Sequence, residues 1–527
     1  MKKIVYLPLD ERPCNNTFCQ FLAQNNKEIN LVCPPLSILG LKKKPADHQK
    51  IAAFLTEQCA DADYLILAVD MLLYGGLVPS RLHYMDVEEV SSRIEVIKTI
   101  KRNNPKLKIF AFSLVMRCPT YSSSDEEPDY YEQYGERIFK YGVNEHKYLD
   151  GLIDKQEYLS QKALLNVPQS VIEDYTNRRS VNIKVLTEVL KLVGDVINEF
   201  VILQDDSNPY GYTALDQRIV KKCLRDNNID IDIYPGSDEG GLTLLARVLT
   251  KIKGYSPKIC PVYPKPECRD VVPLFEDRAV YKSITAQIES AGCTVSEEND
   301  ADIYLFCNLP VGQMLDFCGL YIGKANGVDN VVNKQYVDRD LPKFVSKLAE
   351  LHAKGKAVAV ADIAYANGGD AEIARMISES VGLLNIAGYA GWNTSSNTLG
   401  TVICQAVFYN FFKNTPTHRR FTAERVYEDI AYCSHVRGSV TANELAKLGY
   451  NYFDVGEQRG KVSDVVARQL DKFVGDNFLE IYTGYKISDC YMPWRRMFEV
   501  GLAVEEKSDA GYKKITTVQN FLSLGIA

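Results

Sequence analysis

The chain has 527 residues, of which 46% are hydrophobic and 24% are charged, so it can bury sizeable cores in two or three globular domains and is not a disordered chain. Its 61 basic and 68 acidic residues give a net charge of -7 without long runs of one sign, which argues against a nucleic-acid groove or an anionic membrane surface as partner. No segment approaches the roughly 20 apolar residues of a membrane-spanning helix, so we expect a soluble protein.

Apolar strands alternate with amphipathic helices over the first half of the chain, a pattern typical of a parallel sheet or barrel covered by helices. The apolar run after Met1 stops at Asp10 without a small-residue cleavage site, so we expect no signal peptide and a cytoplasmic protein. The sequence predicts an α/β catalytic lobe over residues 1–255, built as a parallel sheet or a TIM-barrel-like barrel. Its predicted strands are Lys3–Leu7, Asn30–Cys33, Tyr64–Val69, Lys108–Val115, Phe200–Leu203 and Ile231–Tyr234.

A long insertion over residues 118–170 follows the fourth predicted strand. It opens on a polar segment that includes Tyr121 and Asp125 and contains further tyrosines. An insertion of this size after a strand's carboxyl end is typical of a lid or a substrate-binding wall. The tyrosines favour a ligand with a ring, such as a sugar.

The second half of the chain predicts two further units. Residues 256–420 form a second α/β lobe, with strands at Lys258–Val262, Ile303–Cys307, Ala357–Ala361 and Asn385–Ala387. Residues 421–527 show helical patterning without convincing strands, which predicts a mainly helical C-terminal region.

Polar side chains follow almost every predicted strand of the first lobe. Because the carboxyl ends of parallel strands meet at one edge, we expect these side chains to converge into a single cleft. We predict that the following residues of this lobe bind substrate: Asp10, Arg12, Asp70, Tyr74, Arg117, Asn208, Asp238 and Glu239.

Two adjacent carboxylates, Asp205 and Asp206, follow the fifth strand and are the candidate catalytic pair. Crowded carboxylates have separated pKa values, so one can donate a proton while the other is ionised. Neighbours in sequence are unsuited to flank a scissile bond, whereas a substrate-assisted mechanism suits them. In that scheme Asp205 polarises a 2-acetamido group and Asp206 is the general acid, although the order could be reversed. The alternative is that this segment only forms a turn and a helix cap.

Other chemistry has weaker support in the sequence. Arg12 and Arg117 could clamp an anion or, as with an Arg12–Asp70 pair, tie strand ends together. The strand-end aspartates Asp10, Asp70, Asp205 and Asp238 could hold Mg²⁺ or Mn²⁺, but no metal motif of fixed spacing is present. The 14 cysteines and six histidines show no zinc spacing. Cys14 and Cys118 could be nucleophiles, but the pattern favours buried free thiols.

Two glycine-rich segments of the second lobe complete the predicted cleft. We expect Asn367 and Asp370 in the first, and Asn393 in the second, to bind substrate beside helix N-termini. Tyr389 and Trp392 could stack on the apolar face of a sugar. The alternative is that the polar residues only cap helices and form turns.

Three segments together resemble a bacterial family catalogued as domain of unknown function 4127. They are Val5–Asn15, Asp70–Leu77 and Gly388–Thr394, and the similarity covers nearly the whole chain. The resemblance implies no activity and no catalytic residues, so the site assignments depend on chemistry alone. The pair Asp205-Asp206 is also similar to the aspartate pair of acetamido-sugar hydrolases, a likeness limited to two residues.

We therefore expect an enzyme, a glycoside hydrolase that acts on a small sugar glycoside without a cofactor. A 2-acetamido sugar is one candidate for that sugar. Two alternatives remain open: a hydrolase or transferase of a phosphorylated metabolite that depends on Mg or Mn, and a two-lobed cytoplasmic sugar-binding sensor. The expected partner is a small-molecule substrate, a sugar, with no nucleic acid and no membrane. Assembly into a homo-oligomer remains open.

Overall fold

The computed structural model describes residues 1–317 and 338–507, and its first sheet has six parallel strands. They are β1 (Lys2–Leu7), β2 (Ile29–Val32), β3 (Tyr64–Ala68), β4 (Lys108–Val115), β5 (Glu199–Gln204) and β6 (Ile233–Pro235). Their order is β2-β1-β3-β4-β5-β6, with β2 and β6 at the edges. The predicted parallel α/β sheet is confirmed, whereas a barrel is not. The order reverses between β1 and β3, and ligands bind at such a reversal in open parallel sheets.

A second parallel sheet has five strands in the order β13-β11-β9-β7-β8. Strands β10 and β12 form a separate two-stranded parallel sheet. The last strand of the sheet starts at Gly388, three residues later than predicted, because Leu383–Asn385 forms a 3₁₀ turn. The strands are β7 (Lys258–Val262), β8 (Thr294–Val295), β9 (Ile303–Asn308), β10 (Leu315–Asp316), β11 (Ala357–Asp362), β12 (Tyr365–Ala366) and β13 (Gly388–Ala390).

Helices follow most strands of both sheets. In the first half of the chain they are α1 (Pro13–Ala23), α2 (His48–Gln58), α3 (Val69–Tyr74), α4 (Leu77–Ser80), α5 (Val87–Ser92), α6 (Glu95–Asn103), α7 (Tyr131–Leu149), α8 (Lys155–Leu165), α9 (Gln169–Leu190), α10 (Tyr212–Asp226) and α11 (Gly240–Lys253). The described helices of the second half are α12 (Val280–Ser290), α13 (Leu341–Ala353), α14 (Ala371–Ser380), α15 (Ser395–Phe412), α16 (Pro416–Arg425), α17 (Arg437–Asn443), α18 (Leu445–Leu448), α19 (Lys461–Asn477) and α20 (Leu479–Gly484).

The C-terminal region is helical, as predicted, and a π-helical segment, Val426–Val436, joins α16 to α17. It also contains an antiparallel pair that the sequence did not predict, β14 (Tyr485–Tyr491) and β15 (Gly501–Glu506). Both strands are largely half-buried or exposed, so they lack the continuous apolar run that marks the buried strands of the two large sheets.

Two helix starts place polar residues at the carboxyl edge of the first sheet. Pro13 begins α1 directly after Arg12, because its fixed φ suits the first helical turn. Helix α11 begins at Gly240, and a Cβ on Gly241 would lie 2.1 Å from the Tyr6 hydroxyl oxygen. Only glycine allows this approach of α11 to β1, which sets the position of Asp238, two residues before the helix.

One apolar core includes residues of both sheets and of the C-terminal helices. The predicted division at residues 255 and 420 therefore stays a prediction, although the first sheet ends at Pro235 and the second starts at Lys258. Within residues 1–317 and 338–507, no helix combines the length and apolar character needed to cross a membrane.

Candidate functional site

A cavity of about 440 Å³ lies where loops from both large sheets meet. Strand-end residues of the first sheet form one wall: Arg12, Arg117, Asp205, Asp206 and Asp238. The second sheet contributes Asn367 and Asn393, and the insertion after β4 contributes Tyr121, Asp125 and Glu126. The C-terminal region closes the cavity with Tyr452, Phe453, Arg496 and Phe498.

Five charged residues that line this cavity form a closed ring, which we call the arginine–carboxylate ring: Asp205, Arg81, Glu126, Arg117 and Asp206. Oε2 of Glu126 accepts hydrogen bonds from Nη1 of Arg81 at 2.9 Å and from Nη2 of Arg117 at 3.1 Å. The second arm of Arg81 donates to Oδ2 of Asp205 at 2.5 Å, and that of Arg117 donates to Oδ2 of Asp206 at 3.1 Å. The peptide bond between the two aspartates closes the ring, so their carboxylates are held by separate guanidinium groups.

Asp206 is the member of the ring best suited to donate a proton. Burial raises its pKa to about 6, since the charge of Asp205 adds to burial while the Arg117 guanidinium only partly opposes it. Its side chain is 20% exposed and that of Asp205 is 7% exposed, and both line the cavity. Within the described residues, neither Oδ1 atom has a hydrogen-bond partner, so each carboxyl group has one oxygen that no arginine holds.

Glu126 behaves differently from Asp206 although both are buried. Burial disfavours its charge, but the guanidinium groups of Arg496, Arg117 and Arg81 outweigh burial and hold the pKa of Glu126 well below its usual range. Glu126 is therefore an ionised anchor that holds the arginines in place. A second carboxylate, Glu127, accepts from Nε of Arg117 at 2.8 Å.

The backbone around the cavity contains several residues in the left-handed region. Asp206 has φ 23°, Phe275 has φ 67°, Asn367 has φ 63° and Asn393 has φ 52°, and all four line the cavity. Positive φ is uncommon for residues other than glycine and concentrates at functional sites. The conformations of these loops are therefore consistent with a site whose side chains are aimed at a ligand.

A second charged group lies beside the ring and is centred on Arg12. Its Nη2 donates to Oδ2 of Asp10 and to Oδ1 of Asp238, both at 2.6 Å, and Nδ2 of Asn15 donates to both aspartates. The predicted Arg12–Asp70 pair is wrong. Asp70 instead accepts from the hydroxyl of Ser113 and the amide of Leu114, and burial raises its pKa to about 6 against these hydrogen bonds.

The chain matches the model of a family described as "Protein of unknown function (DUF4127)" over residues 4–503. The chain belongs to this family. A comparison with curated proteins found no match. The segment Val5–Asn15, which carries part of the resemblance seen in the sequence, also supplies Arg12 and Asn15 of the Arg12-centred group.

Two aromatic residues that the sequence assigned to sugar stacking lie away from the cavity of this DUF4127 protein. Trp392 packs edge-on against Phe18, with 5.9 Å between the ring centroids, and its Nε1 donates to Oγ1 of Thr401 at 3.1 Å. The Tyr389 hydroxyl donates to Oδ2 of Asp362 at 2.6 Å, and the side chain is fully buried. Tyr389 lies within β13, and Trp392 lies in the loop after it; both side chains are buried, whereas that of the adjacent Asn393 lines the cavity. The expectation that these two rings contact a ligand in the cavity is therefore corrected.

Other predicted binding residues also lie outside the cavity wall. Tyr74 is buried and stacks on His83, and Asp370 caps α14 and pairs with Arg339 at 2.8 Å. Glu239 is fully buried below the wall, where it accepts from the Ser237 amide and the Gln287 side chain. These side chains cap a helix or form hydrogen bonds and packing contacts within the core. Asp10, Asp70 and Asn208 also do not line the cavity, although Asp10 contacts Arg12 directly.

The wall also contains residues that the sequence analysis did not select. Arg81 directly follows α4, Glu126 lies in the insertion, and Arg496 follows the turn Pro493–Arg495. None of them follows a strand of the first sheet. The expectation that site residues follow strand ends, which we call the strand-end rule, therefore could not find them. The one feature of the sequence that could have indicated them is a charged residue in an otherwise aromatic or glycine-rich segment.

The two cysteines considered as nucleophiles are buried. Burial raises the pKa of the Cys14 thiol well above its ordinary value and raises that of Cys118. A thiol with a raised pKa is a weak nucleophile near neutral pH. Neither cysteine lines the cavity.

Proposed function

We propose that this DUF4127 protein is a glycoside hydrolase that acts on a small 2-acetamido sugar glycoside, with Asp206 as general acid and Asp205 as the group that polarises the acetamido substituent. The observation that carries the proposal is the adjacent aspartate pair in the wall of the first cavity, with the pKa of Asp206 raised to about 6. A carboxyl group with that pKa is protonated in a useful fraction of molecules near neutral pH and readily donates its proton.

In this reaction the acetamido oxygen of the substrate attacks the anomeric carbon while the bond to the leaving oxygen breaks. Asp205 accepts a hydrogen bond from the acetamido N–H, which increases the electron density on the attacking oxygen. Asp206 gives its proton to the leaving oxygen, so the leaving group departs as a neutral alcohol. Water then opens the cyclic intermediate and returns a proton to Asp206, which restores both the enzyme and the acetamido group.

The aromatic side chains of the cavity support a sugar ligand. Tyr121, Tyr452 and Phe498 line it together with the amide side chains of Asn367 and Asn393. Aromatic faces pack on the apolar side of a sugar ring, while amides and carboxylates bind its hydroxyl groups. These rings take the role that the sequence analysis gave to Tyr389 and Trp392.

The charge balance of the wall gives less support to a phosphorylated substrate. Four arginines, Arg12, Arg81, Arg117 and Arg496, each lie within 4.0 Å of carboxylates, and the carboxylates involved are Asp10, Asp125, Glu126, Glu127, Asp205, Asp206, Asp238 and Glu499. Each guanidinium group already contacts three carboxylates, so none is free of them to clamp a phosphate. An excess of carboxylates also repels an anion.

The metal-dependent alternative also requires carboxylates that arginines already contact. Its suggested ligands were Asp10, Asp70, Asp205 and Asp238. In the described part of the chain no group of three or more candidate ligands has a geometry that could hold a metal ion, and Arg12 lies between Asp10 and Asp238. The sensor alternative leaves the raised pKa of Asp206 without a role.

The test is hydrolysis of phenyl 2-acetamido-2-deoxyglycosides of both anomeric forms by the purified protein. We expect wild-type turnover, a loss of at least about 100-fold in Asp206→Asn, and a wild-type rate in the control Asp489→Asn, which changes an exposed carboxylate paired with Arg459. Glycosides with a 2-hydroxyl group should react far more slowly than the acetamido substrates. Full activity of Asp206→Asn would overturn the proposal.

A further inference from the structure

A second cavity of about 460 Å³ adjoins the first, and Asp125 lines both. The second cavity is more open to solvent. Its wall includes Lys42, Lys43, Trp494 and Arg495. Apart from Asp125, the second cavity is lined by residues that do not line the first.

The charge of the second cavity is opposite to that of the first. Three cations line it, Lys42, Lys43 and Arg495, against the single carboxylate of Asp125. Lys42 pairs with Asp125, and Lys43 lies 3.5 Å from the exposed carboxylate of Asp129. Arg495 is exposed and makes no ion pair with any residue of the described part of the chain. The guanidinium group of Arg495 is thus available to a ligand, unlike the four arginines of the first cavity.

The backbone of this second wall is strained in a way that points to a built site. Lys42 has φ 49°, Trp494 has φ 53° and Arg495 has φ 56°, and none of these residue types adopts the left-handed region readily. One carboxylate oxygen holds both loops, because Oε1 of Glu11 accepts from the Lys42 amide at 2.8 Å and from Nε1 of Trp494 at 2.6 Å. Conformations of this kind persist where the surroundings over-determine them, and they cluster at ligand sites.

We propose that the second cavity binds a carboxylate carried by the leaving-group part of the substrate, with Arg495 as its main contact and Lys43 adding positive charge. The inference rests on the proposed hydrolase function, because it identifies the bound group as the leaving side of the same substrate. The planar guanidinium group of Arg495 matches a carboxylate with two parallel hydrogen bonds. The substrate class is then a 2-acetamido sugar linked to an acidic aglycone, such as a uronic acid.

Binding tests this inference without catalysis. Calorimetric titration with glucuronate, glucose and glucose 6-phosphate should show glucuronate binding to the wild-type protein, at least about 10-fold weaker binding to Arg495→Ala, and partial recovery in Arg495→Lys. Arg459→Ala, an exposed arginine outside both cavities, should bind like wild type. Equal binding of glucose and glucuronate, or preference for the phosphate, would overturn the inference.

A kinetic comparison separates this inference from the proposed function. The kcat/KM ratio of 4-carboxyphenyl to phenyl acetamido-glycoside should exceed one in wild type and fall about 10-fold in Arg495→Ala. Hydrolysis without preference for the carboxylate would overturn the inference alone. Glucuronate binding that depends on Arg495, without hydrolysis of either glycoside, would overturn the hydrolase proposal and leave the oxyanion site standing.

Discussion

Nη1 of Arg117 lies 3.1 Å from Oδ2 of Asp206, although 89 positions separate the two residues in the sequence. The contact joins the end of β4 to the end of β5 and places a fixed positive charge beside the candidate acid. Burial nevertheless outweighs that charge, so the pKa of Asp206 rises to about 6. The pKa of Asp206 therefore depends on the balance between burial and the charges of Arg117 and Asp205.

The first prediction concerns pH. A general acid must be protonated, and because burial raises the pKa of Asp206 to about 6, the protonated fraction falls as pH rises through that value. We expect kcat/KM for an aryl acetamido-glycoside to decline about 10-fold per pH unit above that limb. Initial rates between about pH 4 and 9 check this. A rate that rises through the same range would contradict the assignment.

The second prediction concerns Arg117. Its guanidinium group lowers the pKa of Asp206 against burial, so Arg117→Gln should raise that pKa and move the falling limb of the pH profile upward by about one unit or more. Arg117→Lys keeps the charge and should leave the limb closer to its wild-type position. The position of the limb is the measurement, since a general loss of activity would not move it.

The third prediction concerns stability. The Arg81 side chain is 1% exposed and contacts Asp205, Glu126 and Glu127. Arg81→Ala leaves buried carboxylates without a counter-charge, so we expect the free energy of unfolding to fall by about 3–5 kcal/mol. The control Arg459→Ala removes an exposed pair with Asp489 and should cost less than about 1 kcal/mol. Urea unfolding measures both, and equal effects would contradict the buried ring.

The fourth prediction separates the aromatic residues of the cavity from those of the core. Tyr121 lines the cavity and is 46% exposed, so Tyr121→Ala should raise KM by roughly 2- to 10-fold through lost stacking, with little change in stability. Trp392→Phe removes the hydrogen bond to Thr401 and should lower the free energy of unfolding by about 1–2 kcal/mol, with KM unchanged. The opposite pattern would return Trp392 to the site.

The strand-end rule found the centre of the site because it depends only on chain direction. Parallel strands end at one edge, so Arg12, Arg117, Asp206 and Asp238 were predictable without knowledge of how the helices pack. The open sheet itself was one of two predicted architectures. Closure into a barrel depends on the pairing of edge strands, which alternating strands and helices do not determine.

The rest of the site depends on tertiary packing that no local pattern encodes. In the loop after β13 the side chain of Asn393 lines the cavity, whereas that of Trp392 packs in the core. The glycine-rich sequence is compatible with either position for each side chain. Arg81, Glu126 and Arg496 come from three distant segments that meet only in the folded chain. Their charges were visible in the sequence, but their mutual pairing was not.

The fifth prediction concerns metal ions. Arginines already contact Asp10, Asp205 and Asp238, so we expect these carboxylates to take no part in binding a divalent cation. Dialysis against EDTA should leave kcat within about 2-fold of the untreated value, with no gain on adding Mg²⁺ or Mn²⁺. Loss of activity in EDTA with recovery on adding a metal would favour the metal-dependent alternative.

The most direct test of Asp206 as proton donor is the leaving-group dependence of Asp206→Asn. Glycosides of poor leaving groups need the proton, whereas those of acidic phenols depart without it. We expect a loss of at least about 100-fold with phenyl acetamido-glycoside and less than about 10-fold with the 2,4-dinitrophenyl compound. An equal loss with both substrates, or no loss with either, would contradict the assignment of Asp206.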